Sequence, residues 1–401
     1  DSRGVALGDL DGDGDLDAVV VNVGPRGHDV WLNDGPAPLA SARWRHGGQD
    51  LGGEPWERRG NGVALGDLDG DGHLDAFIAN TGKNMVLLGR GDGQLRDSGL
   101  RLGRARPGDL RGTTAPHTTD VALGDLDGDE RLDAWTTDAG SGPGERENVV
   151  WLNRTEEGGP LRMEDSRDVL GAAYRPLGDA YSFGVALGDV DGDGDLDAYV
   201  VNAALHGAPD VVYLNDGRGA FVDSGQALGM QNGMAVGLAD VDGDCDLDAV
   251  NANLRYIPPA PPGVVLCDVA WGGDVWLNDG QGRFRDAGVR LADADSRALA
   301  LGDLDGNRTA DVVVANSGGL CPQPHTVWLN GCAAPCATPT PTATSTATPT
   351  ATPTATFTAT ATPTATATPT ATPTATTTTP TTPTPTPPPP RPAPPPPTPT
   401  P

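Results

Sequence analysis

The chain has 401 residues, of which 55 are acidic and 27 basic, for a formal charge of -28. So acidic a balance lacks the basic footprint that nucleic acid requires, and no apolar run approaches the length of a membrane-spanning helix. From Ala337 to Pro401 the sequence is almost wholly Thr, Pro and Ala, leaving 336 residues for folded structure, ample for a sizeable core.

In chain order, the first strong signal is the nine-residue stretch Asp9-Leu-Asp-Gly-Asp-Gly-Asp-Leu-Asp17. Alternate carboxylates on a Gly-rich turn converge on one point, where a hard cation such as Ca²⁺ takes six to eight oxygens. Four anions so close repel unless a cation sits among them. Asp9, Asp11, Asp13 and Asp17 are the expected side-chain ligands, Asp15 lends its backbone carbonyl, and Leu16 turns into a core.

Five further copies begin at Asp67, Asp125, Asp189, Asp240 and Asp303, with spacings of 58, 58, 64, 51 and 63 residues. The same positions give side-chain ligands Asp67, Asp69, Asp71 and Asp75; Asp125, Asp127, Asp129 and Asp133; and Asp189, Asp191, Asp193 and Asp197. The fifth and sixth copies give Asp240, Asp242, Asp244 and Asp248, then Asp303, Asp305, Asn307 and Asp311. The seventh-position carbonyls are those of His73, Arg131, Asp195, Asp246 and Thr309. Together the loops account for over two-fifths of all acidic residues. Glu130 and Cys245 replace the glycine at the sixth position of their loops, which predicts strain or a different turn there. The sixth loop is the weakest, with Asn307 for Asp and Arg308 close by.

The flanks repeat too. Gly4-Val-Ala-Leu-Gly-Asp9 recurs before the later loops, and a β-rich run such as Ala18-Val-Val-Val-Asn22 follows each loop. After a variable connection comes an aromatic run: Val30-Trp-Leu-Asn33, Val150-Trp-Leu-Asn153, Val212-Tyr-Leu-Asn215, Val275-Trp-Leu-Asn278 and Val327-Trp-Leu-Asn330. A turn and a fourth run, such as Ala220-Phe-Val-Asp-Ser224, complete the unit. Four short strands cannot bury both faces within one unit, whereas stacking such units radially does, which is a β-propeller.

These residues resemble the FG-GAP or VCBS-type repeat of integrin α subunits and of many secreted bacterial proteins, over roughly residues 1–331. The resemblance implies an all-β calcium-binding propeller at 1–336; the segment at 337–401, with no core-forming residues and frequent Pro, reads from its composition as a disordered Thr/Pro-rich spacer. Six blades are visible, and seven are possible if the N-terminus is incomplete. The last blade is expected to lack its outer strand, since nothing after Asn330 reads as one. The chain opens at Asp1 rather than Met and reads as processed or as a fragment.

Gly35–Gly60, with Trp44 and Trp56, and Leu254–Gly273, with Tyr256 and Trp271, read as irregular loops. Loops this long in a compact repeat are more often functional than idle. His28, His206, His325 and His117 fall on the edge of the ring opposite the acidic loops, read as solvated loop residues. Cys267 and Cys321 can pair, as can Cys332 and Cys336, leaving Cys245 over.

Two function classes remain. The favoured one is a monomeric extracellular or cell-surface module, of bacterial origin, with up to six Ca²⁺, binding a protein or glycan through Trp56, Tyr256 and Trp271. The alternative is a secreted polysaccharide lyase or hydrolase on the same scaffold. No catalytic constellation stands out in the sequence, and neither membrane insertion nor nucleic-acid binding is expected.

Overall fold

The computed structural model describes residues 1–25, 27–35, 44–49, 51–52, 58–103, 117–140, 146–178, 180–203, 208–229, 232–254, 272–291, 295–317 and 324–331. Blade 1 comprises β1 (Ser2–Gly8), β2 (Asp17–Asn22), β3 (Asp29–Asn33) and β4 (Trp44–His46). Blade 2 comprises β5 (Gly60–Gly66), β6 (Asp75–Asn80), β7 (Asn84–Gly89) and β8 (Leu95–Leu102). Blade 3 comprises β9 (Thr118–Gly124), β10 (Asp133–Asp138), β11 (Val149–Asn153) and β12 (Met163–Asp165), followed by the short helix α1 (Ser166–Leu170). Blade 4 has β13 (Ser182–Gly188), β14 (Asp197–Asn202), β15 (Val211–Leu214) and β16 (Val222–Asp223). Blade 5 has β17 (Asn232–Ala239), β18 (Asp248–Leu254), β19 (Asp274–Leu277) and β20 (Arg285–Arg290). Blade 6 has β21 (Asp295–Gly302), β22 (Asp311–Ser317) and β23 (Thr326–Trp328). Blade 6 thus has three strands among the described residues, which end at Gly331.

The second strand of each blade is β-branched and apolar because it is covered on both faces; β6, β10 and β14 are buried at every residue. First and second strands pair in one register, Gly8 opposite Asp17 in blade 1 and Gly66 opposite Asp75 in blade 2, so the loop between them is always the acidic one. First strands then pack side by side: β1 on β5, β5 on β9, β9 on β13, β13 on β17 and β17 on β21.

Five apolar clusters fill the five joints between successive blades. In the first, Val63 and Leu65 of β5 meet Val19, Val21, Val30 and Leu32 of blade 1. The third and fourth joints each hold three buried aromatic rings; the third centres on a tryptophan. Trp135 is fully buried there, with its ring edge-on to Phe221 at 4.6 Å and tilted against Tyr213 at 5.5 Å.

The same joint residues are open at the two ends of the stack. Val5 and Leu7 of β1 are 62% and 42% exposed, where Val63 and Leu65 are 8% and 3%. On blade 6, Leu304, Val327 and Leu329 are exposed, where their counterparts Leu10, Val30 and Leu32 are buried. Leu16 is 42% exposed and does not enter a core as expected, because its counterparts Leu74, Leu132, Leu196 and Leu247 pack onto a preceding blade. A second correction concerns Trp44–His46: it is the outer strand of blade 1 rather than irregular chain, with Trp44 opposite Asn33 and His46 opposite Trp31. The Thr/Pro/Ala-rich segment lies outside the described residues.

Candidate metal centre in the acidic loops

All six loops use their carboxylates in one pattern. The first Asp ties the turn: Asp9 accepts from Gly12 N (2.7 Å) and Gly14 N (3.0 Å), and Asp189 does the same for Gly192 and Gly194. The fifth-position side chain accepts from the seventh N–H, as Asp13 does from Asp15 and Asn307 from Thr309. The ninth is a fully buried brace. Asp17 accepts from Leu10 N and from Asn33 N, both at 2.8 Å, joining loop, second strand and third strand. Asp75, Asp133, Asp197, Asp248 and Asp311 repeat this with Gly89, Asn153, Asn215, Asn278 and Asn330.

The third position is different. Asp11, Asp69 and Asp127 each keep one oxygen, Oδ1, buried and without a hydrogen-bond partner. A buried carboxylate oxygen with no donor is costly unless something positive meets it. Ligand atoms of Asp9, Asp11 and Asp13 lie within 4.8 Å of one another, as do those of Asp67, Asp69 and Asp71. In the next three loops the group is formed by the first, third and ninth positions: Asp125, Asp127 and Asp133; Asp189, Asp191 and Asp197; Asp240, Asp242 and Asp248. Orphaned oxygens and an all-oxygen donor set fit a hard cation.

Burial pushes the Asp75, Asp133 and Asp197 carboxyls up to about 7 and Asp248 up to about 6. Asp311 has equivalent backbone donors in a loop that no further blade covers among the described residues, and there the Asn330 and Leu304 N–H groups hold it below the usual range.

The third loop carries its own positive charge. Arg154 reaches Asp127 Oδ2 at 2.6 Å and Asp129 Oδ2 at 3.0 Å, and the Arg131 guanidinium also meets Asp129. Arg154 stands where Asp34, Asp216 and Asp279 follow the same asparagine in other blades.

The sixth position adopts the same turn whatever its residue. Glu130, Cys245 and Arg308 have φ of 67°, 81° and 69°, and they are the positive-φ non-glycine residues among those described. Strain is therefore present, but the turn is not altered. Glu130→Gly is expected to stabilise the protein by roughly 1 kcal/mol, the left-handed penalty less the entropy that glycine costs. Urea unfolding measures this.

Sequence reasoning missed the staple between blades. In blades 3 to 6 the asparagine ending the Trp-Leu-Asn or Tyr-Leu-Asn run donates through Nδ2 to the loop of the preceding blade. Asn153 reaches Leu68 O, Asn215 Leu126 O, Asn278 Val190 O and Asn330 Val241 O, all at 2.8 to 2.9 Å. The recurrence of Asn in an otherwise apolar run was the available signal.

On the opposite edge, His28 is fully buried and is not a solvated loop residue: its Nδ1 accepts from Asn22 N at 3.2 Å. His325 does the same for Asn316 N at 3.0 Å, and Asn84 and Asp210 fill this place in blades 2 and 4. Cys245 is disulfide-bonded and so is not the cysteine left over; it sits at the exposed sixth position of its loop. The other four cysteines, His206, Trp56, Tyr256 and Trp271 lie outside the described residues. A surface cavity of about 610 Å³ opens at the outer rim of blade 3, lined by Trp151, Met163, Glu164, Arg167 and Asp168 among others.

The fold and its loops define a β-propeller in which each of the first five blades carries an acidic cluster of the kind that could hold a metal ion. The FG-GAP-like repeat family matches at residues 9–78, 67–136 and 189–250, and the chain is an FG-GAP-repeat propeller. No curated protein matches the sequence. Solved structures resemble it in fold. One is an Agrocybe aegerita lectin specific for non-reducing terminal N-acetylglucosamine, at 20% identity and TM-score 0.46, over 82% of this chain and 80% of that one. A Bacteroides uniformis protein described as a 6-phosphogluconolactonase aligns at 12% identity and TM-score 0.50, over 78% and 77%. The V. cholerae biofilm matrix protein Bap1 aligns at 17% identity and TM-score 0.37, over 76% and 42%. Among the described residues, no helix is long and apolar enough to cross a membrane.

Proposed function

We propose that the chain is an extracellular or cell-surface recognition module, a propeller stiffened by up to six Ca²⁺ that presents variable loops to a protein or glycan. The observation that carries this reading is the contrast between the two edges of the ring. On one edge every connection between first and second strand is the same nine-residue loop. On the other, the connection between second and third strands varies from Asn80–Asn84 in blade 2 to Leu254–Asp274 in blade 5. A constant edge that braces and a variable edge that recognises is the usual division in scaffolded binding proteins.

In each loop the first, third, fifth and ninth side chains and the seventh carbonyl would hold the ion, which supplies the positive charge that the orphaned third-position oxygens lack. Loops one, two and four should bind most tightly and loop six least, with loop three weakened by Arg154 and Arg131. Mg²⁺ should substitute poorly, because it demands tighter octahedral geometry and keeps its waters. The segment from Ala337 onward would serve as an extended stalk.

Recognition is placed on Trp56, Tyr256 and Trp271, whose rings give contact area at low entropic cost. Replacing Tyr256 and Trp271 together by alanine is expected to abolish binding on glycan and protein arrays while leaving the melting temperature unchanged. Undiminished array binding by the double variant would refute this placement.

A further inference from the structure

We propose that the joint between blades 4 and 5 holds one further Ca²⁺, buried among Asp210, Asn251, Asn253, Asp274 and the Tyr199 hydroxyl. Asn251 occupies the place in the second strand taken by Val20, Ile78, Thr136, Val200 and Val314 in the other blades. It faces blade 4, its Nδ2 at 3.0 Å from Asp210 Oδ2 and 3.3 Å from the Tyr199 hydroxyl. Asp274 stands directly opposite Asn251 in the antiparallel ladder, so their side chains share one face of the sheet, as does that of Asn253 two residues on.

These groups are deeply buried and incompletely satisfied. Asn251 and Asn253 are 0% exposed and Asp274 is 2% exposed. Asn251 Oδ1, Asn253 Oδ1 and Asp274 Oδ1 have no hydrogen-bond partner, while the Asn253 amide and the Trp276 indole lie close enough to favour the Asp274 carboxylate against its burial. Asp210 spends one oxygen on Asn202 N at 2.8 Å and the other on Asn251. Neither carboxylate makes an ion pair among the described residues. Arg290, opposite Asp274 on the outer side, keeps its guanidinium on Asp286 at 2.9 and 2.7 Å.

Ordered water would satisfy the two amides but bring no positive charge to the two buried carboxylates, of which Asp274 feels only the Arg290 guanidinium across the strand pair. A divalent ion satisfies both. Two carboxylates, two amide carbonyls and a phenol are hard oxygen donors, and Ca²⁺ tolerates the irregular geometry they impose. The site is separate from the acidic loops, since the second strand runs about 16 Å from the loop residue Asp248 to Asn253.

Native mass spectrometry of the full chain at saturating Ca²⁺ tests the assignment by counting ions. Asn251→Val and Asp274→Val install residues that blade 4 carries at the same places, Val200 and Val211. Each folded variant is expected to bind one ion fewer than the wild type. Asp274→Asn, which keeps the shape and removes the charge, gives the same reading if a valine variant does not fold. Equal counts in the wild type and the folded variants would overturn the proposal and assign the space to water. Failure of the loop sites would instead appear as a wild-type count of one that falls to zero in the variants, so the two readings fail separately.

Discussion

Chelation of calcium is expected to lower the melting temperature by about 10 °C. Extracellular calcium modules bind at about 10⁻⁴–10⁻³ M, so at roughly 1 mM calcium a 0.1 mM site contributes about 1.4 kcal/mol. Six independent loops then contribute roughly 8 kcal/mol, which at the usual unfolding entropy of a domain this size converts to that shift. Calorimetry with and without EDTA measures it, and an unchanged melting temperature would make the loops mere turns. The pH dependence follows from Asp75, Asp133 and Asp197, whose carboxyls rise to about 7 when folded from about 3.8 when unfolded. In EDTA the folded protein holds protons that the unfolded chain has released. Their contribution is therefore complete below about pH 4 and lost as pH rises through about 7. Saturating calcium should flatten the slope over that window, because the ion takes the proton's place.

The second large effect separates brace from ligand. Asp197→Ala strips the acceptor from Val190 N and Asn215 N, both of which its carboxylate serves inside the protein. Each buried N–H left unsatisfied costs about 1–3 kcal/mol, so a loss of roughly 2–5 kcal/mol is expected, in EDTA as well as in calcium. Asp191→Ala, at the third position of the same loop, should destabilise the protein only when calcium is present. Chemical denaturation of both variants with and without EDTA distinguishes the roles. Equal dependence on calcium in the two would place position nine among pure ligands.

The acidic loops, their register and the blade count were legible in the sequence because a repeat displays its own alignment: six aspartate runs at comparable spacing admit few other folds. Single positions were less legible. The aspartate at position nine looks like a fourth ligand on paper, and only the pairing of Asp17 with Leu10 and Asn33 reveals a brace that spans three segments. His28 looked like a solvated loop residue because a two-residue approach to a strand gives no hint of burial, whereas the fold covers it with the first strand of blade 2. Trp44–His46 was read as irregular because a three-residue strand beside loop chain has too short a run for alternation to show. Asn251 was hidden by its neighbours: Ala249-Val-Asn-Ala-Asn253 still reads as a strand, and nothing local says that the third residue faces Tyr199 and Asp210.

Because the stack is built of nearest-neighbour joints, its stability is distributed along one dimension. Blades 2 to 5 are each gripped from both sides, while blades 1 and 6 are each gripped from one side by an apolar cluster among the described residues. Among the described residues, local opening is therefore expected to begin at β1–β4 and β21–β23 and to reach the joint around Trp135 last. Each blade released from either side would bare another apolar face like that of Val5 and Leu7.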